Sequence, residues 1–521
     1  MGTPLPNRRK QAVFDATPFV RLYAFWRLAR LASMDPVAQQ RWQLLSLVRR
    51  AASTRFGKDY GFSRIGGVEE FQARVPLRSY EDFWKEYWSA TFPRLENCTW
   101  PGTIPFFALT SGTTTGKTKY IPCSRAMVLA NRRAGLEVLS FHVSNRPRSR
   151  PLGGVTFMLG GSTDLAELAP GVRAGDLSGI ETAETPAWAR PYCFPPPDLA
   201  LLADWEEKID RLAPLSLSED VRIITGTPSW LLVFFDRLAA LRPSSGGRLA
   251  DFYPNLELLI HGGVNFAPYR RRFRDLLEGS HAETREAYAT SEGFVAAADR
   301  GDGDGLRLVV DNGMFFEFVP VSELASPEPR RFWLADAEPG IDYALVVSNC
   351  AGAFAYVLGD TVRFLDTRPP RILVTGRTSY TLSSFGEHLI DAEIEEAVSR
   401  AAGTIGSAIA DYSVGPLFPE KAGELGGHLY IVEFAGEMPS EAKLGEFARK
   451  LDEALAATNA DYRSHRAEGF GLQPPVIQAV PPGTFAAWMK ERGQLGGQHK
   501  VPRIINDPEL LRNLRAFVRR L

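Results

Sequence analysis

The run TSGTTTGKTK at residues 110–119 gathers hydroxyls, two glycines and two lysines into one short stretch. Backbone N–H groups and hydroxyls in such a loop converge on anionic oxygens, and Lys117 and Lys119 add positive charge. It is a near miss to the Walker phosphate loop. That pattern needs four residues between its glycines, whereas Gly112 and Gly116 enclose only Thr113, Thr114 and Thr115. A surface turn rich in small polar residues is the plainer reading. A second stretch, YATSEG at 288–293, sets an aromatic ring, the hydroxyls of Thr290 and Ser291 and the carboxylate of Glu292 within a few positions. Tyr288 can stack on a purine face, and Glu292 can offer Mg²⁺ the hard oxygen it prefers.

Three weaker signals follow the same chemistry. Gly262 and Gly263 end the apolar run LELLIHGG, where missing side chains let a flat ligand approach the backbone. Asp360, in YVLGDTVRF, can accept hydrogen bonds from two ribose hydroxyls. Arg377 closes ILVTGR, and Lys500 lies in GQHKVPR near the C-terminus. Taken singly, these are also a tight turn, a Gly-Asp β-turn and solvated side chains.

The elements that must position these residues read as α/β. Short apolar runs such as VRIITGTP (221–228) and LELLIHGG end in turn residues, as buried strands do. The first 60 or so residues read as helical. VRLYAFWRLARLA has helix-like spacing and is expected to pack on the main domain rather than to lie on a membrane. From residue 294 the pattern turns towards β structure, and Asn312-Gly313 between two strand-like runs predicts a hairpin. GDGDG (301–305) lacks the spacing of a calcium loop and is expected to be a polar turn. After residue 378 a separate α+β unit is expected. Ile390, Ile394 and Val398 mark one helical face, HLYIVEFAG a strand, and Leu444, Phe447, Leu451 and Leu455 a second face.

The chain has 521 residues, too many for one ordinary core. Its net charge of −1 gives no overall field towards nucleic acid or an anionic membrane, and neither is expected as a partner. The four cysteines lie far apart, the histidines form no zinc pattern, and no stretch approaches a membrane span. A cytoplasmic protein is the simplest expectation.

The order of the motifs carries more than any one of them. TSGTTTGKTKYIP, YATSEG, FFEFVPV, YALVVSNCAGAFAYVLGDTVRF and QHKVPR together resemble the Gretchen Hagen auxin-responsive family of acyl acid amido synthetases, in the adenylate-forming (firefly luciferase-like) superfamily. The resemblance spans most of the chain. It implies a large N-terminal domain (1–377) of mixed and parallel sheets with helices and a β-barrel-like part. A smaller, mobile α+β domain (378–521) would follow. It also implies ATP-dependent adenylation of a carboxylic acid and acyl transfer to an amine, an amino acid in many members, by a monomer. Residues 110–119 would hold the triphosphate, Tyr288 the adenine, Asp360 the ribose and Glu292 Mg²⁺. Lys500 would approach the reacting phosphate, with Lys117 and Lys119 as further cations. Two positions depart from the family pattern: Ala355 stands where arginine is common and His388 where lysine is common. Other readings are a thioester-forming ligase, a nucleotide-binding protein without catalysis, and a Walker-type kinase. The acid pocket is expected between about 125 and 265, with Arg132, Arg133 and the 159–165 stretch as candidates.

Overall fold

The computed structural model describes residues 13–520, except 111–117, 161–163, 203–204, 244–245, 264–265, 267–268, 325, 379–380, 383, 388, 420, 422–423, 436, 468–470 and 493–500. Two helices open the described chain, α1 (Thr17–Ser33) and α2 (Pro36–Ala51). Asp35 caps α2 by accepting from the Val37 and Ala38 N–H groups, which satisfies donors that the first turn leaves unpaired. A small sheet follows, in which β1 (Phe106–Thr110) and β2 (Lys119–Cys123) pair antiparallel. Helix α3 (Arg125–Asn145) starts directly after β2, capped by Ser124.

Among the described residues the main sheet has eleven strands. In chain order they are β3 (Val155–Leu159), β4 (Cys193–Phe194), β5 (Val221–Gly226), β6 (Leu258–His261), β7 (Glu283–Thr290), β8 (Gly293–Ala297), β9 (Leu306–Leu308), β10 (Met314–Pro320), β11 (Asp342–Asn349), β12 (Tyr356–Thr367) and β13 (Pro370–Arg377). Their spatial order is β10-β11-β12-β13-β9-β8-β7-β6-β5-β3-β4. Strands β4, β3, β5, β6 and β7 run parallel, and everything from β7 to β10 is antiparallel. Strand β7 is therefore where the sheet changes character. It is parallel to β6 on one side and forms a tight hairpin with β8 on the other.

One expectation is refined here and one is corrected. The barrel-like part is not a closed barrel, because the order is linear and its end strands β10 and β4 do not pair. The antiparallel half is nevertheless curled. Tyr288 on β7 and Asp360 on β12 are four strand steps apart, roughly 19 Å in a flat sheet. Their side chains meet at 2.5 Å. The Asn312-Gly313 hairpin is also absent. The turn forms, with Gly313 at φ +76°, but it sends the chain across the sheet instead of folding it back. Leu306 pairs with Ile372 and Met314 with Asn349, so β9 and β10 have other partners. Asn312 holds the turn by donating to the Ala130 carbonyl of α3 at 2.7 Å.

The C-terminal region carries a three-stranded sheet of β14 (Ala408–Leu417), β15 (Gly427–Ala435) and β16 (Val476–Val480), with helices α4 (Asp391–Thr404) and α5 (Glu441–Thr458). Ile394, Val398, Phe447, Leu451 and Leu455 are buried as their spacing predicts, with Leu444 at the edge of the same core. Ile390 falls instead in a short strand before α4. One hydrophobic core joins Leu231 and Phe235 to Phe385 and Leu451 of the C-terminal region. GDGDG is a polar turn, and its Asp302 accepts from Thr284 at 3.0 Å. No helix among the described residues is long and apolar enough to cross a membrane.

Candidate active site

Open α/β sheets place ligands outside the carboxyl ends of their parallel strands, at the point where the strand pattern switches. In this sheet that point is the end of β6 and β7. His261, the last residue of β6, pairs with Glu286 of β7, so Gly262 and Gly263 lie alongside Ala287 and Tyr288. A Cβ on Gly262 would sit 2.2 Å from the Ala287 carbonyl oxygen, and Gly263 has φ +85°. Both positions therefore require glycine. Gly262→Ala is expected to lower stability by about 1–3 kcal/mol, since the backbone of β6 or β7 has to move. A melting temperature unchanged from the parent would contradict this close approach.

The Tyr288 hydroxyl donates to Asp360 Oδ2 at 2.5 Å. Asp360 pairs across the strands with Arg377, which brings the end of β13 to the same place. Ser291 and Glu292 form the two-residue turn between β7 and β8. Thr290 Oγ accepts from the Glu292 N–H at 3.2 Å, and the Glu292 carbonyl accepts from Asn349 at 2.8 Å. Burial pushes the Glu292 carboxyl above its ordinary range, and the Asp360 charge adds to this. Hydrogen bonds from the Glu292 backbone, Tyr356 and Thr290 oppose it. A buried carboxylate of raised affinity for protons is a fitting hard-oxygen ligand for Mg²⁺, which would neutralise the charge that burial penalises.

The phosphate-loop candidate is anchored beside this cluster. Thr110 and Lys119 form the last rung between β1 and β2, on either side of residues 111–118. Ser111, Gly112, Thr113, Thr114, Thr115, Gly116 and Lys117 lie outside the described residues, as do Lys500 and His388. Lys119 pairs with Glu81 at 3.1 Å and lies 5.0 Å from the centre of the Tyr80 ring. Its charge is thus already shared with a carboxylate. Tyr80 in turn accepts from the Tyr120 N–H at 2.9 Å. Tyr356, whose hydroxyl bonds Glu292, is held well above its ordinary range by burial and by Glu292, Glu81 and Tyr80. Tyr80, Glu81 and Tyr356 therefore link the loop's anchor to Glu292. No local sequence signal marks them, because only the fold makes them neighbours.

Ala355 is fully buried with φ +49°, and its carbonyl accepts from the Arg78 N–H at 2.9 Å. The missing arginine thus corresponds to a core position. The Arg78 guanidinium nearby bonds Glu86 at 2.7 Å and faces the rings of Tyr60 and Phe83. Of the acid-pocket candidates, Arg133 is exposed and Arg132 donates to the Glu184 carbonyl.

Beneath Gly262 is a second ionisable group. Burial, with the Asp302 carboxylate nearby, pushes the Glu286 carboxyl up to about 7, against an ordinary 4.5. A raised folded value means the ionised form is penalised, so stability is lost as pH rises from the unfolded value through the folded one. Glu286→Gln is expected to melt higher than the parent at pH 8 by the equivalent of about 1–3 kcal/mol. The difference should close below pH 4.5, and a pair of melting curves at the two pH values checks it.

The opposite end of the parallel strands holds a Ser-His-Glu arrangement that is not a nucleophile. His142 lies 2.6 Å from Ser149 Oγ and 2.7 Å from Glu283. Ser149 has one proton, and it donates that to Glu257 at 2.8 Å. The group ties α3 to the starts of β6 and β7.

Three family models match the chain: the GH3 family N-terminal domain over residues 28–159, the central domain over 307–377 and the C-terminal domain over 392–509. Together they cover more than half of it. The chain belongs to the GH3 family. Among similar curated proteins, a probable indole-3-acetic acid-amido synthetase, GH3.9 of Oryza sativa subsp. japonica, is 28% identical over 313 residues, 55% of this chain and 68% of that one. An indole-3-acetic acid-amido synthetase, GH3.8 of Oryza sativa subsp. indica, is 29% identical over 68% of this chain and 55% of its own length. The matched region of this GH3 protein thus spans between about half and two thirds of those relatives. Among solved structures, the AtGH3.15 acyl acid amido synthetase in complex with 2,4-DB superposes with TM-score 0.59 at 17% identity, covering 97% of each chain. A 2-hydroxyisobutyryl-CoA ligase in complex with 2-HIB-AMP and CoA gives TM-score 0.59 at 17% identity, covering 95% of this chain and 94% of that one. The fold of this GH3 member is therefore that of the adenylate-forming ligases.

Proposed function

We propose that this GH3 protein is an ATP-dependent acyl acid amido synthetase. The observation that carries the reading is the Tyr288–Asp360 pair at the end of the switch strand, with Glu292 four residues beyond Tyr288. In the first step the acid's carboxylate oxygen attacks the α-phosphorus of ATP. A new acyl–O–P bond forms, the bond to the β-phosphate oxygen breaks, and pyrophosphate leaves. In the second step a neutral amine, an amino acid by analogy with the relatives' names, attacks the acyl carbon. The C–N bond forms, AMP departs, and the amine's proton passes to phosphate or solvent.

Tyr288 stacks on the adenine, Asp360 accepts from the ribose hydroxyls, and Arg377 sits beside it. Gly262 and Gly263 let the nucleotide lie against β6. Thr110 to Lys119 wrap the phosphates, with Lys117 and Lys500 supplying positive charge as the α-phosphorus reacts. Glu292 would hold Mg²⁺, which supplies further positive charge to the phosphates when bound. Lys119 acts partly through its pairing with Glu81. The small domain (378–521) turns to bring Lys500 in for the first step and clears it for the second. The scattered, unpaired cysteines suit a reducing cytoplasm, and a monomer suffices for every residue named.

The test is to incubate the protein with ATP, Mg²⁺, hydroxylamine and a pooled set of carboxylic acids. A hydroxamate with AMP and pyrophosphate supports the reading, and separating the pool names the acid. ADP with phosphate overturns it. Replacing hydroxylamine by CoA tests the thioester reading that the ligase fold leaves in place; thioester formation in preference to amide would adopt it.

A further inference from the structure

We infer that helix α1 is a docking element for an anionic phospholipid surface. The helix has two opposite faces. Val20, Ala24 and Leu31 are buried, and α1 packs on α3 through this side. At 100° per residue, Phe19, Leu22, Phe25 and Trp26 fall on the other side, within an arc of about 120°. All four are more than half exposed: 64, 60, 67 and 67%. Phe14, just before the helix, is 69% exposed, and its ring lies 6.2 Å from that of Phe19, tilted by 46°. A single large exposed apolar residue is ordinary. Five in one patch on one short segment are not.

Charge identifies the occupant. Residues 1–60 contain 11 Lys and Arg against 3 Asp and Glu, in a chain whose totals are 60 and 61. Helices α1 and α2 contain six arginines and no Asp or Glu. Arg27 is spent internally, on Glu137 and on Asp311 at 2.6 Å. Arg30 lies 3.8 Å from Asp311 but its side chain is exposed, and it borders the aromatic face of α1. Arg41, Arg49 and Arg50 are exposed on α2, where Trp42 is also 58% exposed. Aromatic rings flanked by arginine on a helix without acids is the composition of an interfacial helix, its rings at headgroup level and its cations on lipid phosphates. The net charge of the whole chain hides this, because the rest of the molecule is acidic.

The docking residues lie outside the nucleotide site, so the inference stands or falls separately from the proposed reaction. The experiment is flotation of the full chain with vesicles of phosphatidylcholine alone and of phosphatidylcholine with 30% phosphatidylglycerol. The parent is compared with Phe25→Ser/Trp26→Ser and with Trp188→Ser, which removes an equally exposed ring elsewhere. The expected result is binding to the anionic vesicles that weakens with salt. The double substitution should reduce it at least about tenfold, and Trp188→Ser should leave it unchanged. Circular dichroism and melting should match the parent, since the buried face of α1 is untouched. Absence of binding to the anionic vesicles overturns the proposal, as does equal binding by the double variant. Loss in that variant of a concentration-dependent dimer, without vesicle binding in the parent, assigns the face to a second copy of the chain instead.

Discussion

Asp360→Ala is expected to weaken ATP binding by about 10²–10⁴-fold, as read by calorimetry on a variant whose circular dichroism matches the parent. A carboxylate accepting from two ribose hydroxyls makes two charge-assisted hydrogen bonds, each contributing about 1.5–3 kcal/mol. Losing both corresponds to roughly that change in Kd. Tyr288 also loses the partner that orients its ring. Tyr288→Phe separates the two effects. It removes the hydroxyl bond and keeps the ring, so a loss below about tenfold is expected. If Asp360→Ala bound ATP like the parent, the pair would be a structural strut and the ribose assignment would fall.

Glu292→Gln should separate stability from activity. Burial raises the Glu292 carboxyl above its ordinary range, so the fold carries a cost for ionising it. With the folded value above the unfolded one, stability is present at low pH and lost as pH rises through the folded value. The isosteric amide removes that cost and still accepts from Tyr356. The variant should therefore melt no lower than the parent at neutral pH. Pyrophosphate release, in contrast, should fall by about 10²–10³-fold, the scale for removing one electrostatic contact to a developing charge. Its dependence on Mg²⁺ concentration should shift upwards as well. A variant with parental turnover and parental Mg²⁺ dependence would leave Glu292 as a core residue only. Higher stability bought with lower activity is the pattern of a site kept for function.

The two variants test groups that the sequence marks only weakly. Asp360 is one of many Gly-Asp pairs, and Glu292 looks like an exposed residue after a strand. The motifs in chain order carried the resemblance to the family, which the three family models now establish. They did not say how 288, 292 and 360 meet. That depended on the curl of the antiparallel strands, which brings β7 and β12 within a hydrogen bond across four strand steps.

Local sequence determined what depends on neighbours in the chain. The runs ending at Gly226 and His261 are strands because short apolar segments bounded by turn residues have few other ways to bury themselves. The stripes at 394–398 and 447–455 are helical core because their period admits one buried face. Gly262 is fixed by a clash that any Cβ would make. The tertiary structure alone decided what depends on partners far along the chain. Asn312-Gly313 makes its turn as composed, yet β9 and β10 diverge, because pairing is settled by competition among all strands and not by the turn. The same competition set Lys119 against Glu81 and Tyr356 against Glu292, and turned the aromatic side of α1 outward. Periodicity gives a helix its two faces; which of them the body covers depends on the shape of the surface it meets, and that shape is written across the whole chain.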